Sequence, residues 1–305
     1  MGKYSKIAWT DRTWNPIVGC SKVSRACDNC YAEAMARRLK AMGIDGYEEA
    51  INNRGKWSGK TAFSTRTMEK PLLWKKASRI FVGSMTDLFH PATPDEWLDQ
   101  VFAVMALAPQ HTFMVLTKRP ERMREYISAG RLGVEDWPLS NVWLGVTVED
   151  QKSADQRIPF LLKVPAARRF LSCEPLLGPI DLTDITSNLL PGGPEQWNVL
   201  DRQEALEAEN GAPNTIIDWV IVGGESGPKA RPMHPDWARS LRDQCAAAGV
   251  PFLFKQRLDE RGCKVELPAL DGKVWFEFPE AAKEKAGVAA PAFPTTSRKI
   301  GEATR

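Results

Sequence analysis

Apolar residues after position 79 are grouped in short runs that are continuously apolar rather than alternating with polar residues. Such runs are typical of strands buried on both faces, as in a parallel sheet covered by helices. Each run is rich in β-branched and aromatic residues and ends in polar residues. We predict six strands, at residues 80–83, 112–117, 141–147, 168–173, 218–223 and 251–255.

Helical periodicity follows several of these runs. We predict helices at residues 94–108, 120–129 and 236–248. Thr93 is a candidate cap for the first of them, ahead of a proline and two acidic residues, and Gly249 ends the last. The alternation of strand and helix predicts an α/β fold with right-handed crossovers.

Two stretches do not fit this alternation. Residues 183–215 contain a Pro-Gly-Gly-Pro sequence and several acidic residues, and we predict a surface insertion there. Residues 281–305 are rich in Ala, Lys, Pro and Thr without apolar periodicity, which predicts a mobile tail. Residues 1–280, with the insertion included, are predicted to form a single domain.

Composition places the chain among ordinary globular proteins. Hydrophobic residues make up 43% of its 305 residues and charged residues 26%, which argues against a disordered or collagen-like chain. No apolar run approaches the roughly 18 residues of a membrane span, and no secretory signal follows Met1. We therefore expect a cytoplasmic protein without a membrane partner.

Charge is unevenly distributed along the chain. Residues 1–80 hold 16 Lys and Arg against 7 Asp and Glu, whereas the remainder holds 25 against 31. The basic N-terminal part either meets the phosphates of a nucleotide or nucleic acid or is simply a solvated basic surface.

Charged and hydroxyl residues stand directly after the predicted strands. Because the carboxyl ends of parallel strands share one face of the sheet, these residues are expected to gather where ligands bind. Polar residues also end strands for purely structural reasons, so the position alone is a weak signal for any one of them. The group includes Ser84, Asp87, Lys118, Glu149, Glu174 and Glu225.

The glycine-rich residues 223–227 have two interpretations. They form either an ordinary strand end or a nest of backbone N–H groups for an anion. No Walker motif accompanies them, which disfavours ATP hydrolysis.

Three of the six cysteines, Cys20, Cys27 and Cys30, lie close together with the spacing C-x6-C-x2-C. A helical pattern begins at Tyr31, so the thiols lie on a loop that enters a helix. The helix N-terminus and nearby Arg25 favour thiolates, the forms that bind metal. One face of this helix is predicted to carry Ala32, Met35, Ala36, Leu39 and Met42.

Three interpretations of these thiols remain open. Three cysteines can hold three irons of a four-iron cluster and leave the fourth iron open. A structural zinc site would need a fourth ligand, from His90, His111 or His234. Unliganded core thiols are the third interpretation, and the one we favour for Cys173 and Cys245.

A short first strand, a three-cysteine loop and a series of βα units resemble the radical S-adenosylmethionine (SAM) superfamily, whose usual spacing is C-x3-C-x2-C. Over about residues 6–258 the chain more closely resembles a phage-borne family of undefined function with the longer cysteine spacing. The matching motifs are WTDRTWNPIVGC, FVGSMTDLFH, LTKRPERM, GVTVEDQ, FLSCEPLLGPIDL and WVIVGGESGPKARPMHPDW. The resemblance implies a partial (β/α)6 TIM-like barrel of the radical SAM type, with the cysteine loop after the first strand.

The resemblance also implies two cofactors. Cys20, Cys27 and Cys30 would bind a [4Fe-4S] cluster. S-adenosylmethionine would chelate the open iron, and an electron from an external reductant would cleave it to a 5′-deoxyadenosyl radical. The implied cofactor-binding residues are Gly83, Ser84, Asp87, Lys118, Thr147 and Glu149, and the candidate catalytic residues are Glu174 and Glu225.

No motif names the substrate. A phage setting, the basic N-terminal part and eleven tryptophans favour a nucleic-acid base or nucleotide, because phosphates bind Lys and Arg and bases stack on aromatic rings. The hypothesis is isomerisation or hypermodification of a modified thymidine or other pyrimidine in phage DNA, in the host cytoplasm.

Two other function classes stay open. One is a zinc-stabilised nucleic-acid-binding module without radical chemistry. The other is a conventional lyase or hydrolase that uses Glu174 and Glu225 as paired carboxylates. The second leaves the clustered thiols without a role.

Overall fold

Strands and helices alternate along most of the chain in this computed structural model, whose described residues are 5, 7–131, 137–187, 195–201, 216–227 and 229–279. The strands are β1 (Arg12–Trp14), β2 (Ile17–Val18), β3 (Ala62–Phe63), β4 (Arg79–Val82), β5 (Thr112–Thr117), β6 (Val142–Thr147), β7 (Arg168–Cys173), β8 (Ile185–Ser187), β9 (Glu195–Trp197), β10 (Trp219–Gly223), β11 (Phe252–Leu258), β12 (Lys264–Glu266), β13 (Ala269–Leu270) and β14 (Lys273–Val274). The helices are α1 (Tyr31–Ala41), α2 (Tyr47–Ala50), α3 (Thr65–Met68), α4 (Asp95–Ala106), α5 (Pro120–Ser128), α6 (Gln151–Leu162) and α7 (Pro235–Ala248).

The main sheet follows the order of the chain. Its strands lie in the order β1, β4, β5, β6, β7, β10, β11 and β12, and all neighbours pair in parallel except β11 with β12. The six predicted strands correspond to β4, β5, β6, β7, β10 and β11, and the three predicted helices to α4, α5 and α7. The predicted α/β class is confirmed.

The sheet curls into a half-barrel around aromatic side chains. The ring of Trp9, which precedes β1, lies 4.8 Å from that of Phe81 on β4 and 6.4 Å from that of Trp219 on β10. These strands are four places apart in the sheet, which is roughly 19 Å in a flat sheet with about 4.8 Å between strands. One side chain reaches both because the sheet is curved, and the structure is compatible with a partial TIM-like barrel.

Helices cover the convex face of the sheet and form the larger core with it. Val82, Val115, Leu144, Leu171 and Val222 point from successive strands into this core. Apolar residues are thus buried on both faces of the strands, which explains why the sequence shows continuous apolar runs. Because apolar side chains cover both faces, the strand ends are the part of the sheet that a ligand can reach.

The predicted apolar face of α1 is confirmed at Ala32, Ala36 and Leu39, which belong to or pack against one apolar cluster, and is wrong at its two methionines. Met35 and Met42 are 43% and 70% exposed, and the helix also buries Glu33, which was not predicted. Glu33 is buried because its carboxylate binds Lys56 Nζ at 2.9 Å and the N–H of Trp57 at 3.1 Å. A polar anchor therefore orients this helix, and two methionines are left at the surface.

The predicted insertion contributes to the core where the structure describes it. β8 and β9 form an antiparallel pair, and Ile185, Val199 and Leu200 are buried with the main apolar cluster. The rest of the insertion and the predicted tail lie outside the described residues. None of the helices in the described ranges is long and apolar enough to span a membrane.

We expect Gly145→Ala to destabilise the half-barrel. Gly145 on β6 faces Phe170 on β7, and a Cβ at this glycine would lie 2.6 Å from the phenyl ring. Overpacking of a filled core costs about 1–3 kcal/mol, so the free energy of unfolding should fall by that amount in urea denaturation.

Phe170→Leu provides the control, because it removes the ring atoms that the added methyl group would meet. In the Phe170→Leu background, Gly145→Ala should lower the free energy of unfolding by less than it does in the wild-type chain. An equal cost in both backgrounds would contradict the assignment of the destabilisation to this contact.

Candidate functional site

A cavity of about 500 Å³ opens at the carboxyl ends of the parallel strands. Its volume lies in the roughly 300–1,000 Å³ range of small-molecule and cofactor sites. Trp9, Phe81 and Leu116 give it an apolar floor, and polar strand ends and the cysteine loop form its walls. Ten of the eleven predicted site residues line it, namely Cys20, Cys27, Cys30, Gly83, Ser84, Asp87, Lys118, Thr147, Glu174 and Glu225.

The three clustered cysteines are free thiols, each partly exposed. The N–H of Val23 donates to Cys27 Sγ at 3.5 Å. In the described part of the chain, no three His, Cys, Asp or Glu side chains converge closely enough to hold a metal ion. The three thiols therefore line the same cavity but do not converge on a single point.

Cys20 does not have the thiolate-favouring environment that the sequence predicts. Burial, followed by the nearby Asp87 carboxylate, raises the pKa of the Cys20 thiol to about 11. The cation that opposes this rise is Arg119 and not the predicted Arg25. Without a bound metal, this thiol is therefore protonated at neutral pH.

The histidines do not supply a fourth ligand in this geometry. His90 Nε2 lies 2.7 Å from Ser21 Oγ, and its Nδ1 accepts the N–H of Ala92. His111 is buried next to the carbonyl of Pro71, and His234 caps α7. Three sulfur donors without a histidine fit an iron–sulfur cluster with an open iron better than tetrahedral zinc.

Asp87 links the end of β4 to the end of β5. Its buried carboxylate accepts four hydrogen bonds, so both oxygens already have partners. The donors are Thr117 Oγ1 at 2.6 Å, the Lys118 N–H at 2.9 Å, Arg119 Nη1 at 3.0 Å and the Phe89 N–H at 3.2 Å. In this arrangement Asp87 organises the loops around the cavity.

Arg119 was not among the predicted site residues, although it follows Lys118 at the end of β5. Its Nη1 lies 4.0 Å from Cys20 Sγ, the outer limit for a hydrogen bond to sulfur. Its Nη2 donates to the Ser21 carbonyl at 3.0 Å and to the Ser21 hydroxyl at 2.9 Å. This arginine therefore fastens the first part of the cysteine loop to the sheet.

Glu225 fastens the second part of the loop. Its buried carboxylate binds Arg231 Nη2 at 2.6 Å and Nε at 2.9 Å, and it accepts from Asn29 Nδ2 at 2.9 Å. Arg231 Nη2 also donates to the carbonyl of Arg25 at 2.8 Å. Burial alone would raise the pKa of Glu225, but the hydrogen bonds from Arg231 and Asn29 outweigh it and lower the pKa.

Glu174 and Lys255 form an ion pair that faces the cavity. Lys255 Nζ, in the middle of β11, lies 2.5 Å from Oε1 of Glu174, which follows β7, and both side chains are largely buried. Lys255 was not predicted as a site residue. Among the described residues, the amine of Lys118 has no hydrogen-bond or ion-pair partner, so it too is free to meet a ligand.

Gly83 and Ser84 shape the turn after β4. Gly83 has φ +79°, and a Cβ there would lie 3.1 Å from the methyl group of Thr86, so the position requires glycine. The Ser84 hydroxyl exchanges hydrogen bonds with the amide of Asn15 at 3.1 Å, and the Ser84 carbonyl accepts from the Tyr31 hydroxyl at 3.0 Å. These contacts hold the turn against the loop.

Two further features of the sequence, Glu149 and the glycine-rich run, have structural roles in this geometry. Glu149 does not line this cavity, because its carboxylate is buried against Arg157 Nη1 at 2.6 Å under α6. The glycine-rich run after β10 is not an open nest at Gly224, whose N–H donates to the carbonyl of Gln256 at 2.8 Å. Thr147, by contrast, is buried next to the cavity, as expected for a strand-end residue.

A family profile matches the chain over residues 4–279. The chain belongs to the family described as protein of unknown function (DUF5131). This agrees with the resemblance to a family of undefined function, and the phage origin stays a prediction.

Two further comparisons were made for this DUF5131 chain, with curated proteins and with solved structures. No curated protein matches this chain. Among solved structures, a cysteine-to-serine mutant of spore photoproduct lyase is similar with a TM-score of 0.39 and 11% identity, over 85% of this chain and 68% of that one. That likeness is too weak to bear on function.

We expect the Glu225 anchor of this DUF5131 chain to give a pH-dependent stability. The pKa of Glu225 is lowered in the folded state, so its contribution is present above the unfolded-state pKa and is lost as the pH falls through the folded-state value. Because the folded-state pKa lies below the ordinary value of 4.5, urea denaturation between about pH 6 and pH 3 should show wild type losing more stability than Glu225→Gln.

At about pH 7 the Glu225→Gln variant should be less stable by about 1–3 kcal/mol, because Arg231 loses its charged acceptor. Glu260→Gln, at an exposed carboxylate, is the matched control. If Glu225→Gln kept the wild-type pH profile, the carboxylate would not be an ionised anchor.

Proposed function

We propose that this chain is a radical SAM enzyme that binds a [4Fe-4S] cluster through Cys20, Cys27 and Cys30. The observation that carries the proposal is that all three thiols line one cavity at the carboxyl ends of a parallel half-barrel. Ligands of such sheets bind at this end. The donor set fits the cluster, because the described lining residues include three cysteine thiols and no histidine.

When bound, the cluster supplies the electron that cleaves S-adenosylmethionine reductively. The chain itself provides an enclosed, preorganised site. Its apolar floor of Trp9, Phe81 and Leu116 limits water beneath the reacting groups. The unpartnered amine of Lys118 suits a carboxylate, which is the group that S-adenosylmethionine carries at its methionine end.

The Glu174–Lys255 pair is the polar group that we assign to the substrate side of the cavity. Asp87 and Glu225 already accept four hydrogen bonds each, whereas Glu174 has one partner at Oε1 among the described residues. Lys255 retains two N–H groups for a second acceptor. The pair therefore presents a donor and an acceptor side by side to a polar ligand.

We further propose that the substrate is a modified pyrimidine base in DNA. The lining of the cavity includes exposed apolar side chains and lysines: Val23, Tyr31 and Met35 line it together with Lys22 and Lys264. Apolar and aromatic surfaces suit the faces of bases, and lysines suit phosphates. A base in duplex DNA would leave the stack to enter the cavity.

Iron and sulfide analysis of the anaerobically purified or reconstituted protein tests the cluster. We expect about four irons per chain and a brown chromophore, which a Cys20→Ala, Cys27→Ala, Cys30→Ala triple variant should lose. Cys263→Ala, at an exposed cysteine elsewhere, should keep both. Stoichiometric zinc and no chromophore, after reconstitution with iron had also failed, would favour the zinc-stabilised module instead.

Binding of duplex DNA that carries a modified thymine tests the substrate class. We expect a mobility shift that weakens steeply as salt rises, since lysine–phosphate contacts release counterions. Lys22→Glu and Lys264→Glu should weaken the shift, and Lys163→Glu should not, because Lys163 lies at the opposite end of the sheet, just before β7. Absence of a shift with any such DNA would count against DNA as the substrate.

A further inference from the structure

Arg119 joins the cysteine loop to the sheet through both ends of its guanidinium group. Nη1 lies between Asp87 Oδ2, at 3.0 Å, and Cys20 Sγ, at 4.0 Å. Nη2 holds the carbonyl and the hydroxyl of Ser21, the next residue along the loop. One side chain thus contacts a thiol and fixes the backbone next to it.

The guanidinium is itself held in place. Its side chain is 12% exposed, so water competes little for its N–H groups. Asp87, its carboxylate partner, is fixed in turn by Thr117 Oγ1 at 2.6 Å and by two backbone N–H groups. A chain of contacts therefore runs from β5 through Asp87 and Arg119 to the Cys20 sulfur.

The other cations near the loop do not have this arrangement. Arg231 binds Glu225, Asp28 and the carbonyl of Arg25, and Lys22 pairs with Asp28 at the exposed surface. Within the described part of the chain, Arg119 is the cationic side chain with a hydrogen bond to a clustered cysteine sulfur. Its position is therefore specific to Cys20.

We propose that Arg119 is a positioning residue that donates a hydrogen bond to the Cys20 sulfur and raises the reduction potential of the bound cluster. This inference rests on the proposed function, because it requires a cluster at Cys20. An external one-electron reductant adds one negative charge to the cluster. A cation that donates to a ligating sulfur stabilises the more negative, reduced state.

A redox titration of the reconstituted protein, followed by electron paramagnetic resonance, tests the proposal. Arg119→Gln should shift the midpoint potential to more negative values, by about a tenfold change in the equilibrium constant, which is 59 mV for one electron. Arg122→Gln is the matched control, because Arg122 lies in the first turn of α5, which Arg119 directly precedes, and binds Asp95 away from the cavity. Its potential should equal that of wild type.

A second measurement does not depend on the cluster. In the metal-free protein, amide hydrogen exchange over residues 20–24 should be faster in Arg119→Gln than in wild type and unchanged in Arg122→Gln. If wild type binds no iron, the proposed function fails, and this comparison still decides whether Arg119 holds the loop.

An Arg119→Gln variant with full iron content and the wild-type potential would overturn the inference, because a merely structural role leaves the potential unmoved. Unchanged hydrogen exchange would overturn the positioning role. Should Arg119→Gln fail to fold, Arg119→Lys takes its place in both measurements. Lysine keeps the charge and lacks the planar fork, so exchange should still rise and the potential should shift in the same direction, by less.

Discussion

Two buried carboxylates, Asp87 and Glu225, hold the cysteine loop across the carboxyl ends of the sheet. Each is paired with an arginine, and each arginine also binds a backbone carbonyl of the loop, at Ser21 or Arg25. A buried charge without a partner is strongly unfavourable, so removing either arginine would leave the corresponding carboxylate uncompensated. These ion pairs therefore hold the loop that carries the three thiols against the cavity.

This fastening depends on the curvature of the sheet. Asp87 follows β4 and Glu225 follows β10, strands that lie four places apart in the sheet order. In a flat sheet these strand ends would lie roughly 19 Å apart, so the curl shortens the distance that the loop has to span. Trp9 on the concave face and the close contact of Gly145 with Phe170 belong to the packing that accompanies the curl. The inside of the barrel thus determines the geometry of a site at its rim.

The sequence predicts the sheet and the edge at which the site lies, because both follow from local patterns. Continuous apolar runs identify the strands, and the residue after each run is placed at the cavity end.

The ion-pair partner of each strand-end residue cannot be predicted in the same way. Glu149 and Glu174 occupy equivalent positions after β6 and β7, yet Glu149 is buried against Arg157 and Glu174 meets Lys255 across the cavity. Which arginine or lysine reaches a given carboxylate depends on packing between distant segments, and no local pattern encodes it. The same holds for Arg119, which cannot be told from its neighbour Lys118 by position alone.

The hydrogen-bond inventory separates the charged residues around the cavity into two groups. The carboxylate oxygens of Asp87 and Glu225 already accept hydrogen bonds from other side chains and from the backbone, so these residues have a structural role. Glu174, Lys255 and Lys118 keep free hydrogen-bonding positions among the described contacts and face the cavity. A ligand that entered would gain little from the first group, because each new contact would break an existing one. The second group, which lies after β5, after β7 and on β11, would interact with the charged and polar groups of the ligand. The cavity therefore combines residues that fix the cysteine loop with residues that stay available to a ligand, and the two kinds are interspersed along the sheet.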